Sequence, residues 1–364
     1  MEARILNTSL IAIGILESVE SIIITERYDL PGDFEIYAKY DSYLYGLLLK
    51  DYYLIFPDTD NVMIIETREI KTDPEQGTRM VIGGRSFESS LDRRIILKQI
   101  IINGSLQTGV HDILNKNLVA CEFPQRNFPN LTLVSSADPL VTSLGLVAQY
   151  YTENVLEVIQ EICRQSHIGF KVTLNSSNVF QFQLYAGADR SYAQLVKPYV
   201  VFSSKFDNLI SSDYFESKRS KKNWAFIAGL EGKANWNQSF YGRWAQVATF
   251  DYDGGEGMAL REIFVDGSTM PTIDYNTSTP LPDAEYVAQL EQLGYQELAQ
   301  RTEISSFSAE VDVTKQYTYK QDFYLGDIVQ YIDDKGHSSS ARIVAMTISE
   351  NLNGRNIYPT LRSV

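Results

Sequence analysis

From Ile5 to about Ile82, apolar and polar residues alternate in short runs parted by turn signals, the period-two pattern of half-buried strands. The runs predict strands at Val19–Tyr28, Asp33–Tyr40, Tyr53–Phe56, Val62–Lys71 and Thr78–Ile82. The turns between them include Leu30-Pro31-Gly32-Asp33 and Asp73-Pro74-Glu75-Gln76-Gly77. Five strands at this spacing predict a small barrel or sandwich. The alternation then breaks. Ser86 is placed to cap a short helix, with Glu88 in the first turn where negative charge suits the helix dipole. Val110, Ile113, Leu114 and Leu118 recur at three and four residues, and Val155, Ile159, Ile162 and Ser166 do the same, which predicts two amphipathic helices. Gly169 and a hairpin-like pair, Phe170–Leu174 and Val179–Tyr185, follow the second helix, so the middle third reads as a compact α+β unit.

After Lys197-Pro198 the strand pattern returns at Val200–Ser203, Leu209–Ser217, Trp224–Leu230, Trp244–Tyr252 and Arg261–Asp266. A polar loop over 267–282 leads into a helix from Asp283 to about Arg301, striped by Val287, Leu290, Leu293 and Leu298, and strands resume at Glu303. Near the end, Leu325-Gly326-Asp327-Ile328-Val329, Arg342-Ile343, Gly354 and Pro359-Thr360 are spaced as two or three antiparallel strands, the first launched by the Gly-Asp turn. At 364 residues the chain exceeds one typical domain. The expected units are 1–95, a first β-barrel-like domain; 96–197, a helical and α+β middle; and 198–364, a second β-barrel-like domain with a helical insertion at about 280–302. The expected class is therefore α+β and β-rich.

Composition sharpens this picture in three ways. The 23 Tyr and 17 Phe against 6 Met favour strands and interfaces over helical bundles. The formal charge of −14 disfavours binding to a phosphate backbone, which is gripped by Lys and Arg. Cys121 and Cys163 stand far apart with no CxxC or Cys-His spacing, so they read as buried thiols rather than a disulfide or zinc site. No signal peptide and no apolar run long enough for a membrane helix is expected, which fits a protein made and assembled in cytoplasm.

Candidate chemistry is sparse. His111, His167 and His337 each stand alone and read as structural, with His167 at a helix end where a charged imidazole would suit the dipole. Gly83-Gly84 and Gly254-Gly255 lack the Lys and Ser/Thr of a phosphate cradle. Asp251, Asp253 and Glu256 resemble part of a calcium loop, but without flanking helices an acidic hairpin turn is the preferred reading, leaving weak calcium binding open. Carboxylate pairs such as Asp333 with Asp334 or Glu66 with Glu69 would suit glycoside hydrolysis, yet 46 acids produce such pairs by chance. The basic run Ser217–Lys222 reads as a solvated loop or subunit contact before a nucleic-acid site, and Tyr214, Trp224 and Trp236 near it as core or interface residues. No catalytic, cofactor or metal residue is expected.

Five stretches carry a family likeness in order along the chain. They are Glu26-Arg27-Tyr28 with Gly32-Asp33-Phe34-Glu35-Ile36; Gly83-Gly84-Arg85-Ser86-Phe87 with Arg93-Arg94-Ile95; Gly187-Ala188-Asp189-Arg190 with Asn223-Trp224-Ala225; Arg261-Glu262-Ile263-Phe264-Val265-Asp266; and Asp322–Asp327 with Arg342-Ile343 and Pro359-Thr360. Together they resemble the hub-like tail-tip, or baseplate-hub, proteins of siphovirus tails. The resemblance implies two tube-like β-barrel modules per chain, so that a homotrimer presents six barrels and adapts a sixfold tube to a threefold tip. It implies Gly32, Asp33, Phe34, Gly84, Arg85, Asp189, Arg190, Arg261, Glu262, Asp266, Leu325, Gly326, Asp327, Arg342 and Pro359 as structural motif residues. The implied partners are a distal-tail or tail-tube ring on one side and a spike, fibre or tip protein on the other. Phage DNA would pass the acidic lumen without specific binding, with no stable membrane insertion. The implied place is the virion, at the tail tip or baseplate, after assembly in the host cytoplasm, and the implied role is non-enzymatic. The alternative is a cell-wall hydrolase or a glycan- or receptor-binding tail-tip protein. That reading predicts a deep cleft with two facing carboxylates, or exposed aromatics.

Overall fold

The computed structural model describes residues 2–17, 19–75, 77–206, 208–230, 233–235, 238–241, 243–249, 257–311, 316–332, 338–352 and 354–363. The N-terminal strands are Ala3–Leu6, Ala12–Leu16, Ser21–Arg27, Asp33–Lys39, Tyr53–Ile55, Val62–Asp73 and Gly77–Ser86. Alternate residues such as Ile22 and Ile24, or Phe34, Ile36 and Ala38, turn to one side, and there they share a core with Ile5, Leu16, Met63, Ile65 and Ile82. Full burial of an Ile or Phe contributes roughly 1.5–3 kcal/mol, which makes this face the reason for the strand register. Gly83 and Gly84 lie opposite a bulge between Ile65 and Thr67. A Cβ on Gly84 would lie 1.8 Å from the Ile64 carbonyl oxygen, so the pair serves close backbone approach.

Ser338–Asn351 pairs antiparallel with Ser21–Arg27, from Ala345 opposite Arg27 to Asn351 opposite Ser21. It also pairs with Gly354–Ser363 and Ile328–Ile332, in the antiparallel order expected from the Gly-Asp turn. Gly354–Ser363 continues to Ile304–Val311 and then Leu209–Ser217. The result, among the described residues, is one sheet of 13 strands drawing on both ends of the chain. The expected closed barrels are not formed by these pairings, which run as an open path from Leu209–Ser217 to Ala12–Leu16. The physical reason is edge occupancy: the side of Ser21–Arg27 left free by Asp33–Lys39 is taken by Ser338–Asn351. A second core, of Phe202, Phe323, Val329, Ile343, Met346 and Leu361, underlies the C-terminal strands.

The middle of the chain packs in a core that Leu6, Leu10, Val62 and Ile64 of the N-terminal strands also enter. The helix Leu106–Leu114, capped by Ser105, runs into a π-turn at Asn115–Val119, and the helix Val155–Gln165 is capped by Asn154. Val110, Ile113, Leu114, Leu118, Val155, Ile159 and Ile162 are buried together as their spacing requires. Gly169–Leu174 and Phe180–Tyr185 form the expected hairpin, with Leu131–Val134 added in parallel. Phe87 and Leu91, from the 3-10 turn Phe87–Arg93, belong to this core too. Ser86 does not cap that turn with its side chain, because its Oγ instead accepts from the Gly32 N–H at 2.8 Å.

A fourth core lies between the helix Asp283–Ala299 and a sheet of Trp224–Gly229, Trp244–Ala248 and Glu262–Gly267. The helical excursion is thus part of a small α/β unit rather than a lone helix. Among the described residues, no helix is long and apolar enough to cross a membrane.

Candidate functional site: a three-way joint at Tyr28

Tyr28 is 1% exposed and stands where the N-terminal sheet, the middle unit and the C-terminal strands meet. Its N–H donates to Val344 O (3.0 Å), and its carbonyl accepts from Phe170 N–H (3.2 Å). Its hydroxyl donates toward His167 O (3.2 Å) and Tyr185 O (3.4 Å), and accepts from the Gly187 N–H (3.2 Å). Burial pushes this phenol up to about 12, against the opposing pull of Arg342. The Arg342 guanidinium lies 5.4 Å from the ring centroid, and its Nη1 donates to Gly326 O (2.8 Å). Gly326 has φ +93°, and a Cβ there would lie 2.3 Å from the Tyr28 ring.

The Gly-Asp turn is locked by its own aspartate. Asp327 is buried; it accepts from Ala188 N–H (2.6 Å), Tyr324 N–H (3.0 Å) and Arg190 Nε (2.7 Å). Asp189 accepts from Ser191 N–H (2.8 Å) and bridges in parallel to Ile328. Six sequence-flagged residues, Asp189, Arg190, Leu325, Gly326, Asp327 and Arg342, are therefore brought together although three chain segments supply them.

The others go elsewhere. Gly32, Asp33, Phe34, Gly84 and Arg85 sit in the first sheet, where Asp33 pairs with Arg27 (2.6 Å) and Arg85 grips Glu66 with two nitrogens (2.8 and 3.0 Å). Arg261, Glu262 and Asp266 belong to the small α/β unit; Arg261 Nη1 donates to Lys218 O (2.6 Å) and Asp266 accepts from Ser268 N–H (2.9 Å). Pro359 is buried in the C-terminal hairpin opposite Met346.

Beside the joint lies a cleft of about 280 Å³. Tyr319 OH donates to Glu26 Oε2 (3.0 Å), and Lys320 Nζ reaches both Glu26 (3.5 Å) and Asp60 (3.2 Å). Lys171 approaches Asp60 at 3.7 Å. Burial holds the Glu26 carboxyl above its usual range, only partly offset by Lys320. These groups tie all three parts together across the cleft, and Glu26, Asp60, Lys171 and Lys320 each face an opposite charge. Glu26, Asp60, Lys171 and Tyr319 escape sequence reasoning because no local spacing relates them.

Glu88 is buried more deeply still, at 1% exposed; Oε1 accepts from Asn61 Nδ2 (3.2 Å) and Val172 N–H (2.5 Å). Desolvation raises its carboxyl above the ordinary 4.5, against the hydrogen bonds of Ser86 and Val172. The folded state thus holds this proton more tightly than the unfolded chain. The stability it contributes is complete below about pH 4.5 and lost as pH rises through the folded value. Glu88→Gln is expected to flatten that loss, so its unfolding free energy gains on wild type between pH 4.5 and 8 in urea titrations. Parallel pH curves for the two proteins would show that Glu88 stays ionised.

The remaining sequence candidates resolve as follows. Glu66 pairs with Arg85 and Glu69 with Lys71, so that acidic pair is committed to neighbours. Asp333, Asp334, His337 and the Asp251–Glu256 turn lie outside the described residues. Lys218 and Lys221 of the basic run reach Glu303 (3.6 and 3.5 Å). His167 sits at the helix end, where burial, then Arg342 and Arg362, push its imidazole below the usual range, and its carbonyl accepts from the Tyr28 hydroxyl. Cys121 and Cys163 are free and buried.

This β-rich α+β chain, built on one large sheet, shares its fold with solved prophage tail proteins. It is similar to the prophage MuSo2 43 kDa tail protein of Shewanella oneidensis, with TM-score 0.60 and 14% identity over 100% of this chain and 98% of that one. It is similar to the tail protein of Neisseria meningitidis MC58 (0.56, 13%, 99% and 96%) and to prophage tail protein gp18 of Listeria monocytogenes EGD-e (0.55, 12%, 99% and 94%). The chain belongs to the Siphovirus ReqiPepy6 Gp37-like protein family, whose model matches residues 2–361. No curated protein matches it.

Proposed function

We propose that this chain is a non-enzymatic structural hub at the distal end of a siphovirus tail. The observation that carries the reading is membership of the Gp37-like family over residues 2–361, supported by a fold shared end to end with prophage tail proteins. Residues 1–95 and 198–364 supply the two tube-facing modules, and 96–197 the middle unit between them. Three copies then set six modules against a sixfold distal-tail or tube ring, and leave a threefold face for a spike, fibre or tip protein. The net charge of −14 keeps the lumen from holding DNA as it passes. The joint at Tyr28 makes each subunit one stiff piece, because charged and backbone hydrogen bonds cross it from every side.

Light scattering on the purified chain, over a range of concentration and salt, is expected to give three times the chain mass, and the protein to leave cell walls uncut. A stable monomer that hydrolyses cell walls would overturn the reading in favour of an enzyme. An inactive monomer directs the test to the intact tail, where a hub gives threefold density at the distal end.

A further inference from the structure

The small α/β unit is an insertion at the end of a strand pair. Leu209–Ser217 and Ile304–Val311 run antiparallel and finish with Ser217 opposite Ile304, so the chain enters and leaves the unit at one point. Beyond that point the two connections are tied to each other. The Lys222 N–H donates to Arg301 O (2.8 Å), and Lys218 and Lys221 both reach Glu303 (3.6 and 3.5 Å). A body carried on one two-stranded stalk can turn about the few residues of that stalk.

Within the unit the packing is apolar and close. The helix Asp283–Ala299 lays Tyr286, Leu290 and Leu298 on its own sheet, and a Cβ at Gly294 would lie 2.5 Å from Ile227 Cδ1. Helix and sheet therefore move as one body. The ion pair of Arg243 with Asp283 (2.6 Å) also lies inside the unit. Among the described residues of the middle unit, Ile101 alone packs against this core.

Where the unit meets the middle of the chain, the chemistry changes to glutamine. Gln289, Gln292 and Gln296 recur at three and four residues along one stripe of the helix. Gln292 Nε2 donates to Gln165 Oε1 (3.0 Å), and Gln296 Nε2 to the Tyr150 hydroxyl (3.4 Å). The loop before the helix docks in the same way: Gln99 Nε2 donates to Ile273 O (3.0 Å) and Gln149 Nε2 to Pro271 O (2.9 Å). Gln289 is 1% exposed, yet neither its Oε1 nor its Nε2 has a partner, and Gln165 Nε2 is buried without one as well. A hydrogen bond exchanged for one with water contributes little, whereas a buried polar atom left alone costs its full desolvation. The seam is thus weakly held and carries its own penalty.

We infer that the small α/β unit is a swinging module, which undocks from the middle unit along the glutamine seam as a folded body and pivots on the stalk at 218–222 and 301–303. Undocking gives the orphaned amides of Gln289 and Gln165 to water and parts few apolar contacts, so the docked and free arrangements lie close in free energy. The stiff joint at Tyr28 does not oppose the motion. Its bonds join the N-terminal sheet, the middle unit and the C-terminal strands, and none is made by this unit. The motion lies beyond the hub reading, which needs no moving part, and its test uses the isolated chain, so the two stand or fall separately.

Thiol labelling separates a swing from unfolding. Gln289→Cys puts a thiol on the seam, and Val247→Cys, a swap of similar size at a site 5% exposed, puts one between the unit's own sheet and helix. Cys163, 0% exposed in the middle core, is the reference in each full-length variant. The folded proteins are treated with iodoacetamide, and the rate at every site is read by peptide mass spectrometry. The thiol at position 289 is expected to react at least about tenfold faster than Cys163 and than the thiol at position 247, because local opening needs less free energy than global unfolding. A little urea should speed Cys163 and leave position 289 nearly unchanged, since a swing exposes little surface. Equal rates at position 289 and Cys163 would mean that the seam opens only when the whole molecule unfolds, and would overturn the proposal. Equal rates at positions 289 and 247, both ahead of Cys163, would overturn it too, because the unit would then melt in place.

Discussion

Gly326→Ala is expected to destabilise the protein by about 3 kcal/mol, the sum of a left-handed backbone cost and an overpacked contact. The backbone sits at φ +93°, and the added methyl would lie 2.3 Å from the Tyr28 ring. Urea unfolding measures the loss directly. The same substitution should cost less in a Tyr28→Ala background, where the ring that it strikes is gone and only the backbone cost remains. Additive losses in that double-mutant cycle would show that ring and glycine do not press on one another. Tyr28→Ala by itself is expected to cost about 3–5 kcal/mol, the usual range for truncating a large buried aromatic.

The second large effect belongs to Asp327. Removing one partner of a buried ion pair leaves an uncompensated charge, so Asp327→Asn is expected to cost about 3–5 kcal/mol. Replacing both members of such a pair by apolar residues often restores stability. Here it should not. Asp327 also accepts from the Ala188 and Tyr324 N–H groups, and each buried donor left without an acceptor costs about 1–3 kcal/mol. Asp327→Leu combined with Arg190→Met is therefore expected to stay well below wild type in unfolding free energy. A double variant as stable as wild type would mean that the carboxylate matters to Arg190 alone.

Much of the fold was legible in the sequence because local pattern decides it. Val155, Ile159 and Ile162 specify one buried stripe of a helix, and the Gly326-Asp327 turn specifies the strand after it. The family-like stretches Glu26-Arg27-Tyr28, Gly187–Arg190 and Asp322–Asp327 contain most of the joint. What the sequence did not carry was their meeting. Tyr28 touches Gly187 and Gly326 because three units pack together, and no period within any one of them encodes that. The union of the two β modules into one sheet was hidden for the same reason. Ser21–Arg27 and Ser338–Asn351 both alternate in the ordinary way, and alternation does not name a partner strand. Ser86 was misread because a serine before a turn suits a cap, while the tertiary fold brought Gly32 closer to its hydroxyl.

The pairing of Ser21–Arg27 with Ser338–Asn351 also fixes an order of events on the ribosome. Thr25 and Thr347, whose hydroxyls lie 3.3 Å apart across these strands, are separated by 322 positions. At about 5–20 residues per second, the first strand emerges roughly 15 to 65 seconds before its neighbour exists. For that interval its outer row of N–H and C=O groups is an open template for any passing strand, including that of the next nascent chain on the same message.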